Sequence, residues 1–296
     1  MSIDGLRVLY DTPMQVGECP LWHPDQAALY WIDIAGRAIH RHDPFNNAHR
    51  SWTLPSEPGC IARSTNGNLI VAMRSGVALL DTADGSLTPV ADAPYDTTKM
   101  RFNDGRCDAA GRFWAGTLYE PRDQALGSLF RIERGTLMDA GNPVTVSNGL
   151  AFSTDYQTLY HADTTAHRIS AYDFDLATAQ ISNGRVFKQF SKDKSQNYGG
   201  RPDGATVDSE NAYWCAMYEG GRILRLSPSG EILLDIPLPV RCPTMIAFGG
   251  DDLRTLYITS ARHNRPAAEL AHHPLSGCVF AMRVDVAGLP EPAYIP

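Results

Sequence analysis

Cysteines never come in pairs along this chain. The six present (Cys19, Cys60, Cys107, Cys215, Cys242 and Cys278) are scattered and form no C-x-x-C motif, which argues against a zinc site or a disulfide framework and predicts buried, reduced thiols. Long apolar runs are missing as well, and none approaches the roughly 18 residues that a membrane-spanning helix needs. The opening stretch MSIDGLRVLYDTP carries acids early, where a secretory signal has a basic segment followed by an apolar one. The expectation is a cytoplasmic protein with no membrane attachment. Lysine and arginine form no run and the formal charge is -7, which argues against the basic face that nucleic acid requires. Helical periodicity is nearly absent. No G-x-S-x-G, P-loop, G-x-G-x-x-G or H-E-x-x-H pattern occurs, so the common nucleophile, nucleotide and zinc-protease templates do not apply.

What the chain does have is repetition. The stretch RFNDGRCDAAGRFWAGT, starting at Arg101, aligns without a gap on RPDGATVDSENAYWCAM, starting at Arg201. Arg101 falls on Arg201, Asn103 on Asp203, Asp108 on Asp208 and Trp114 on Trp214. The same unit, a polar or small opening followed by an apolar segment, an Asp/Gly/Asn turn and a second strand, occurs six times across residues 1–296. Its equivalent positions are Glu18, Gly59, Asn103, Asn148, Asp203 and Thr244, at intervals of 41 to 55 residues. Short alternating strands in a blade-sized repeat predict an all-β, six-bladed β-propeller formed by a single domain. The chain ends are expected to share a blade so that no sheet edge stays open. Trp22, Trp31, Trp114 and Trp214 are read as packing between blades, and the histidines of HRH (His40, His42) and AHHP (His272, His273) as solvent-facing.

In such a ring the six equivalent positions line a central channel, with two carboxylates, two amides, one hydroxyl and one glycine. Carboxylates converging on one axis are costly to bury without a counter-ion, and hard oxygen donors suit a divalent cation such as Ca²⁺, Mg²⁺ or Mn²⁺. This composition suggests a mononuclear site held by Glu18, Asn148 and Asp203. Read singly, each Asn-Gly or Asp-Gly is an ordinary turn former; their recurrence at equivalent positions is what points to a site.

The motifs GECPLWH with Glu18, RFNDGRCDAAGRFWAGT with Arg101 and Asn103, SNGLAFSTDYQTLYHAD with Asn148, and RPDGATVDSENAYWCAM with Asp203 resemble the SMP-30/gluconolactonase (regucalcin-like) family of six-bladed propellers, in family order and over nearly the whole chain. The resemblance implies that Glu18, Asn148 and Asp203 are metal ligands and that Arg101 and Asn103 hold substrate oxygens. Glu120, in the segment YEPRDQALG, matches the family's acidic substrate-contacting residue. Cys19 departs from the pattern, standing where a small residue such as Gly or Ser is usual. The implied activity is hydrolysis of a sugar (aldono) lactone with one divalent metal ion, drawn from Ca, Mg, Mn, Zn and Fe, and with Asp203 as general base. A broader esterase or organophosphate hydrolase on the same site, and a non-enzymatic calcium-binding propeller, stay open as alternatives. The segments YEPRDQALG and KDKSQNYGGRPDG are expected at the channel mouth, as walls of the specificity pocket or as passive connectors.

Overall fold

Each repeat folds into a four-stranded antiparallel sheet, and six such sheets stand around a common axis. The structure, a computed structural model, describes residues 5–296. Blade 1 runs through Gly17–His23, Ala28–Asp33, Ala38–His42 and His49–Thr53, and blades 2 to 5 repeat this meander in chain order. Blade 6 differs: its inner three strands are Pro243–Gly249, Thr255–Ser260 and Val279–Arg283, while its outermost strand, Arg7–Tyr10, comes from the other end of the chain. The ring is therefore closed by hydrogen bonds between the two ends, as the repeat count predicts.

The local sequence accounts for the order of strands within a blade. Second strands such as LIVAM, YWCAMY and TLYITS are rich in β-branched and aromatic residues and are buried on both faces, so they do not alternate. Fourth strands such as HRSWT and LTPVAD are largely exposed or half-buried, with Trp52 the one residue of the two that is turned into the core. The core is divided among the interfaces between blades. Trp22 stacks on Tyr257 across the blade 6–blade 1 boundary, Trp114 meets Phe152 across blades 3 and 4, and Trp214 meets Phe248 across blades 5 and 6. The tryptophans pack between blades, as the sequence predicts.

All six cysteines are free and buried. The histidines of HRH are not solvent-facing. His42 is buried, and His40 stacks on Trp31 with ring centroids 5.3 Å apart and its Nδ1 3.1 Å from Nε2 of His49. The cause is tertiary: Tyr10, on the strand that closes blade 6, stacks on His49 and covers this face. The only α-helix among the described residues is short, Ala267–His272, and none is long and apolar enough to cross a membrane.

Two features of the inner strands position the site. Each carries a register irregularity at or beside its ring residue, between Glu18 and Leu21, Pro58 and Cys60, Phe102 and Gly105, Asn148 and Ala151, Pro202 and Ala205, and Pro243 and Ile246. Such bulges re-aim a side chain out of the sheet's regular alternation. The recurrent Asn-Gly, Asp-Gly and Pro-Gly steps thus mark bulges within strands, and the turn-forming chemistry serves to aim the ring residues. The other feature is a plug. Residues 287–295 cross the far end of the channel, where Ser209 N–H donates to the Ala287 carbonyl, Arg106 pairs with Glu291 at 3.5 Å, and Ile295 N–H donates to the Gly111 carbonyl. The channel is closed there and open at the ring.

Candidate active site

Glu18, Asn103, Asn148, Asp203 and Thr244, each from a different inner strand, line one open cavity of about 310 Å³ together with Arg101. Five of the six equivalent positions therefore meet as the repeat predicts. The sixth is Gly59. A Cβ there would run into the Phe102–Asn103 backbone, so glycine permits the close approach of blades 2 and 3 that brings Asn103 into the ring.

A chain of hydrogen bonds fixes the two amides. Arg101 donates to Asn103 Oδ1 at 2.7 Å, Asn103 Nδ2 donates to Asn148 Oδ1 at 3.0 Å and to the Ser147 carbonyl at 2.8 Å, and Asn148 Nδ2 donates to Thr164 Oγ1 at 2.8 Å. Thr164 in turn donates to the Pro202 carbonyl, one residue from Asp203. Thr244 commits its hydroxyl to the backbone, donating to the Gly17 carbonyl and so tying blade 6 to blade 1. Glu18 accepts one backbone hydrogen bond, from Cys19 at 2.8 Å. Cys19 itself takes a positive φ of 47°, and its thiol faces Ile61 on blade 2. Its side chain belongs to the blade interface and leaves the ring to Glu18.

Beneath the ring lies Asp104, which sequence reasoning missed because the NDG step reads as a turn. Its Oδ2 accepts from Leu150 N–H at 2.9 Å, and its Oδ1 is buried without a partner. Burial, offset in part by Arg106, raises its pKa to about 6. Burial and the Asp104 charge raise Asp203 to about 8, and burial with the Asp203 and Asp104 charges pushes Glu18 well above the usual carboxylate range. Three carboxyl groups thus share a desolvated space, in which Asp104 resists the ionisation of Asp203 and both resist that of Glu18. The Asp203 carboxylate accepts no hydrogen bond from the described residues.

The donor set fits a hard divalent cation. Two carboxylates short of hydrogen bonds and an amide oxygen converge where their own charges are unfavourable. No cluster of three or more His, Cys, Asp or Glu in metal-binding geometry occurs among the described residues, so thiolate and histidine-rich centres are not offered.

Around the mouth, Glu120 accepts from Arg74 at 2.6 Å and lies 4.0 Å from Arg101 Nε; it stands behind Arg101 rather than in the cavity wall. Arg122, from the segment YEPRDQALG, does line the cavity, and so do Arg201, Tyr218 and the run His263–Arg265. The last of these carries no repeat signature and could not have been placed from sequence.

A propeller whose channel mouth presents a carboxylate–amide ring under an arginine wall is a recognisable class of protein. The description "SMP-30/Gluconolactonase/LRE-like region" matches residues 16–262, and the chain belongs to that family. It is 49% identical to 6-deoxy-6-sulfogluconolactonase of Pseudomonas putida, over 98% of this chain and 99% of that one. It is 34% identical to pentonolactonase XacC of Haloferax volcanii, over 95% of each. Among solved structures, the calcium-binding protein regucalcin of Agrobacterium tumefaciens superposes with a TM-score of 0.91 at 28% identity, covering 98% of this chain and 97% of that one.

Proposed function

We propose that the protein is a metal-dependent hydrolase that opens a sugar (aldono) lactone to the aldonic acid in carbohydrate catabolism. The observation that carries this reading is the convergence of Glu18, Asn148 and Asp203 with Arg101 and Asn103 in one open cavity. Lactonase relatives aligned over nearly the full chain support it. The name of the Pseudomonas relative puts a sulfonated gluconolactone among the substrates to be tried. Glu18, Asn148 and Asp203 would hold the cation; when bound, it supplies a Lewis acid for the lactone carbonyl and for water.

The chain's own groups do the rest. Asp203, at the floor with its carboxylate unpaired, accepts the proton from the attacking water as the carbonyl carbon becomes tetrahedral, and returns it to the ring oxygen as collapse of that carbon breaks the ring C–O bond and leaves the aldonic acid. Arg101, anchored through its bond to Asn103, presents its remaining N–H groups to the sugar hydroxyls, and Asn103 sets their position. Glu120 completes the substrate-binding group by holding Arg101 and Arg74 at the rim.

The test is proton release from a panel of glucono, galactono, xylono and arabinono lactones by chelator-stripped protein, with and without Ca²⁺, Mg²⁺, Mn²⁺, Zn²⁺ and Fe²⁺. Metal-dependent acceleration over spontaneous hydrolysis is expected. It should fall by at least about a hundredfold in Glu18→Gln, Asn148→Ala and Asp203→Asn, a loss of about 2.7 kcal/mol of transition-state stabilisation. Full activity in chelator-stripped protein, or in all three variants, would remove the proposed site.

A further inference from the structure

The outer wall of the cavity carries two guanidinium groups, Arg122 and Arg201, that hold no carboxylate within hydrogen-bond distance. Arg122, in the loop after the blade 3 strand Phe113–Tyr119, lines the cavity, and its guanidinium makes no hydrogen bond or ion pair among the described residues. Arg201 enters from blade 5. Its Nε is buried without a partner, and its head lies over the Tyr218 ring at 5.0 Å. The acid beside it, Glu219, is committed elsewhere: one oxygen accepts from Lys194 at 2.9 Å and the other from Arg265 at 2.9 Å, leaving Arg201 only a 3.6 Å approach.

The neighbouring basic residues are neutralised, which makes these two stand out. Arg265 is held by both oxygens of Glu269 at 2.7 and 2.6 Å. Arg74 is held by Glu57 and Glu120. Neither Arg122 nor Arg201 forms an ion pair with Glu18 or Asp203 on the floor. A neutral sugar needs hydrogen-bond partners, and Arg101, set in place by Asn103, supplies those. It has no use for two further guanidinium groups, one exposed at the rim with all its donors open and one half-buried, its carboxylate partner no closer than 3.6 Å.

We propose that Arg122 and Arg201 form an anion subsite, which selects sugar lactones bearing a tetrahedral oxyanion, a sulfonate or a phosphate, at the end remote from the lactone carbonyl. The inference rests on the lactonase reading and deepens it. Guanidinium groups match such oxyanions with paired, charge-assisted hydrogen bonds. Three acceptor oxygens can serve donors arriving from three blades: Arg122 from blade 3, Arg201 from blade 5, and His263 and Asn264 from blade 6. The carbonyl of the same molecule then lies toward the carboxylate floor and its cation. The oxyanion makes and breaks no bond, and its role is to orient the ring and discriminate among lactones. Arg122 is exposed and without partners, so its replacement leaves the packing intact.

The experiment compares kcat/KM of the metal-loaded protein for gluconolactone, 6-phosphogluconolactone and 6-deoxy-6-sulfogluconolactone, in the natural sequence and in Arg122→Gln, Arg122→Glu and Arg201→Gln. Titration calorimetry with gluconate, 6-phosphogluconate and 6-deoxy-6-sulfogluconate gives a reading independent of turnover. The expected result is a preference for at least one anionic lactone, which falls about 30-fold relative to gluconolactone on loss of either arginine and further in Arg122→Glu. The sulfonate and phosphate arms identify which oxyanion the wall was built for. Turnover of gluconolactone with no anionic preference, or equal losses on charged and neutral lactones in the variants, overturns the subsite while leaving the lactonase reading in place. If no lactone is turned over, that reading fails. Tighter binding of an anionic acid than of gluconate, lost in Arg122→Gln, then still upholds the subsite, and equal binding of all three acids overturns it.

Discussion

At the scale of the residue, the aligned pairs of the internal repeat separate into two kinds. Asn103 and Asp203 occupy the ring, whereas Asp108 and Asp208 are fully buried struts. Asp108 accepts from Trp114 Nε1 at 2.8 Å and Arg112 Nε at 2.7 Å; Asp208 accepts from Trp214 Nε1 at 2.7 Å and Arg225 Nε at 2.7 Å. Sequence alignment shows both pairs recurring and cannot tell which is functional. Asp208→Ala leaves the buried Trp214 N–H without its partner and Arg225 with Glu210 alone, so we expect a loss of about 3 kcal/mol, read as a lower denaturant midpoint with kcat/KM preserved in the folded fraction. His161 gives a pH prediction. It is buried, with Nδ1 2.9 Å from Asn142 Nδ2 and Nε2 2.7 Å from Ser147 Oγ, an arrangement that fits the neutral ring. Burial lowers its pKa to about 4. The unfolded chain takes up this proton first, so the contribution is complete above the ordinary pH of about 6.5 and is lost as pH falls toward about 4. His161→Gln should flatten that part of the stability–pH curve, and an unchanged acid limb would count against the assignment.

At the scale of the element, the inner strand is the working unit. Its bulge aims the ring residue, and the bulge needs small residues where backbones crowd. Gly149, next to Asn148, has φ of 55°, and a Cβ on it would meet the Tyr213 hydroxyl, Ala162 and the Asp203 carbonyl. Tyr213 donates to the Gly149 carbonyl at 2.7 Å, so blade 5 grips this turn directly. Gly149→Ala should cost about 2 kcal/mol through the left-handed conformation and the clash. Because Asn148 and Asp203 flank it, metal affinity measured by calorimetry should weaken about tenfold or more, an effect of at least about 1.4 kcal/mol. Normal affinity in a destabilised variant would show that the bulge serves folding alone.

At the scale of the molecule, closure holds the ring donors in one place. Arg7–Tyr10 supplies the last strand of blade 6, pairing Arg7 with Ala281 and Val8 with Phe280. Its loss exposes the edge of Val279–Arg283, an open ladder available for pairing with other chains. A protein lacking residues 1–10 should unfold at a Tm lower by roughly 10 °C or more and associate with rising concentration in light scattering. An unchanged Tm and a monodisperse solution would mean that closure is carried by the blade interfaces. The plug at 287–295 seals the other end of the channel, so the arginine wall and the carboxylate floor share a single opening.

The amino-acid sequence by itself determined the number of blades, the shared blade at the chain ends, and the ring of Glu18, Asn103, Asn148, Asp203 and Thr244. These follow from periodicity, since a residue recurring at one place in every repeat must recur at one height on the axis. Only the tertiary structure decided that Gly59 is a close approach between blades, that Cys19 turns into a blade interface, and that Asp104 adds a third buried carboxyl beneath the ring. It also decided that Glu120 stands behind Arg101 and that Arg122, Arg201 and His263–Arg265 meet at one mouth. The physical reason is the same in each case. Loops and bulges lie outside the strand period, and which of their side chains meet, and which charges remain unpaired, depends on distances between blades that no local pattern encodes.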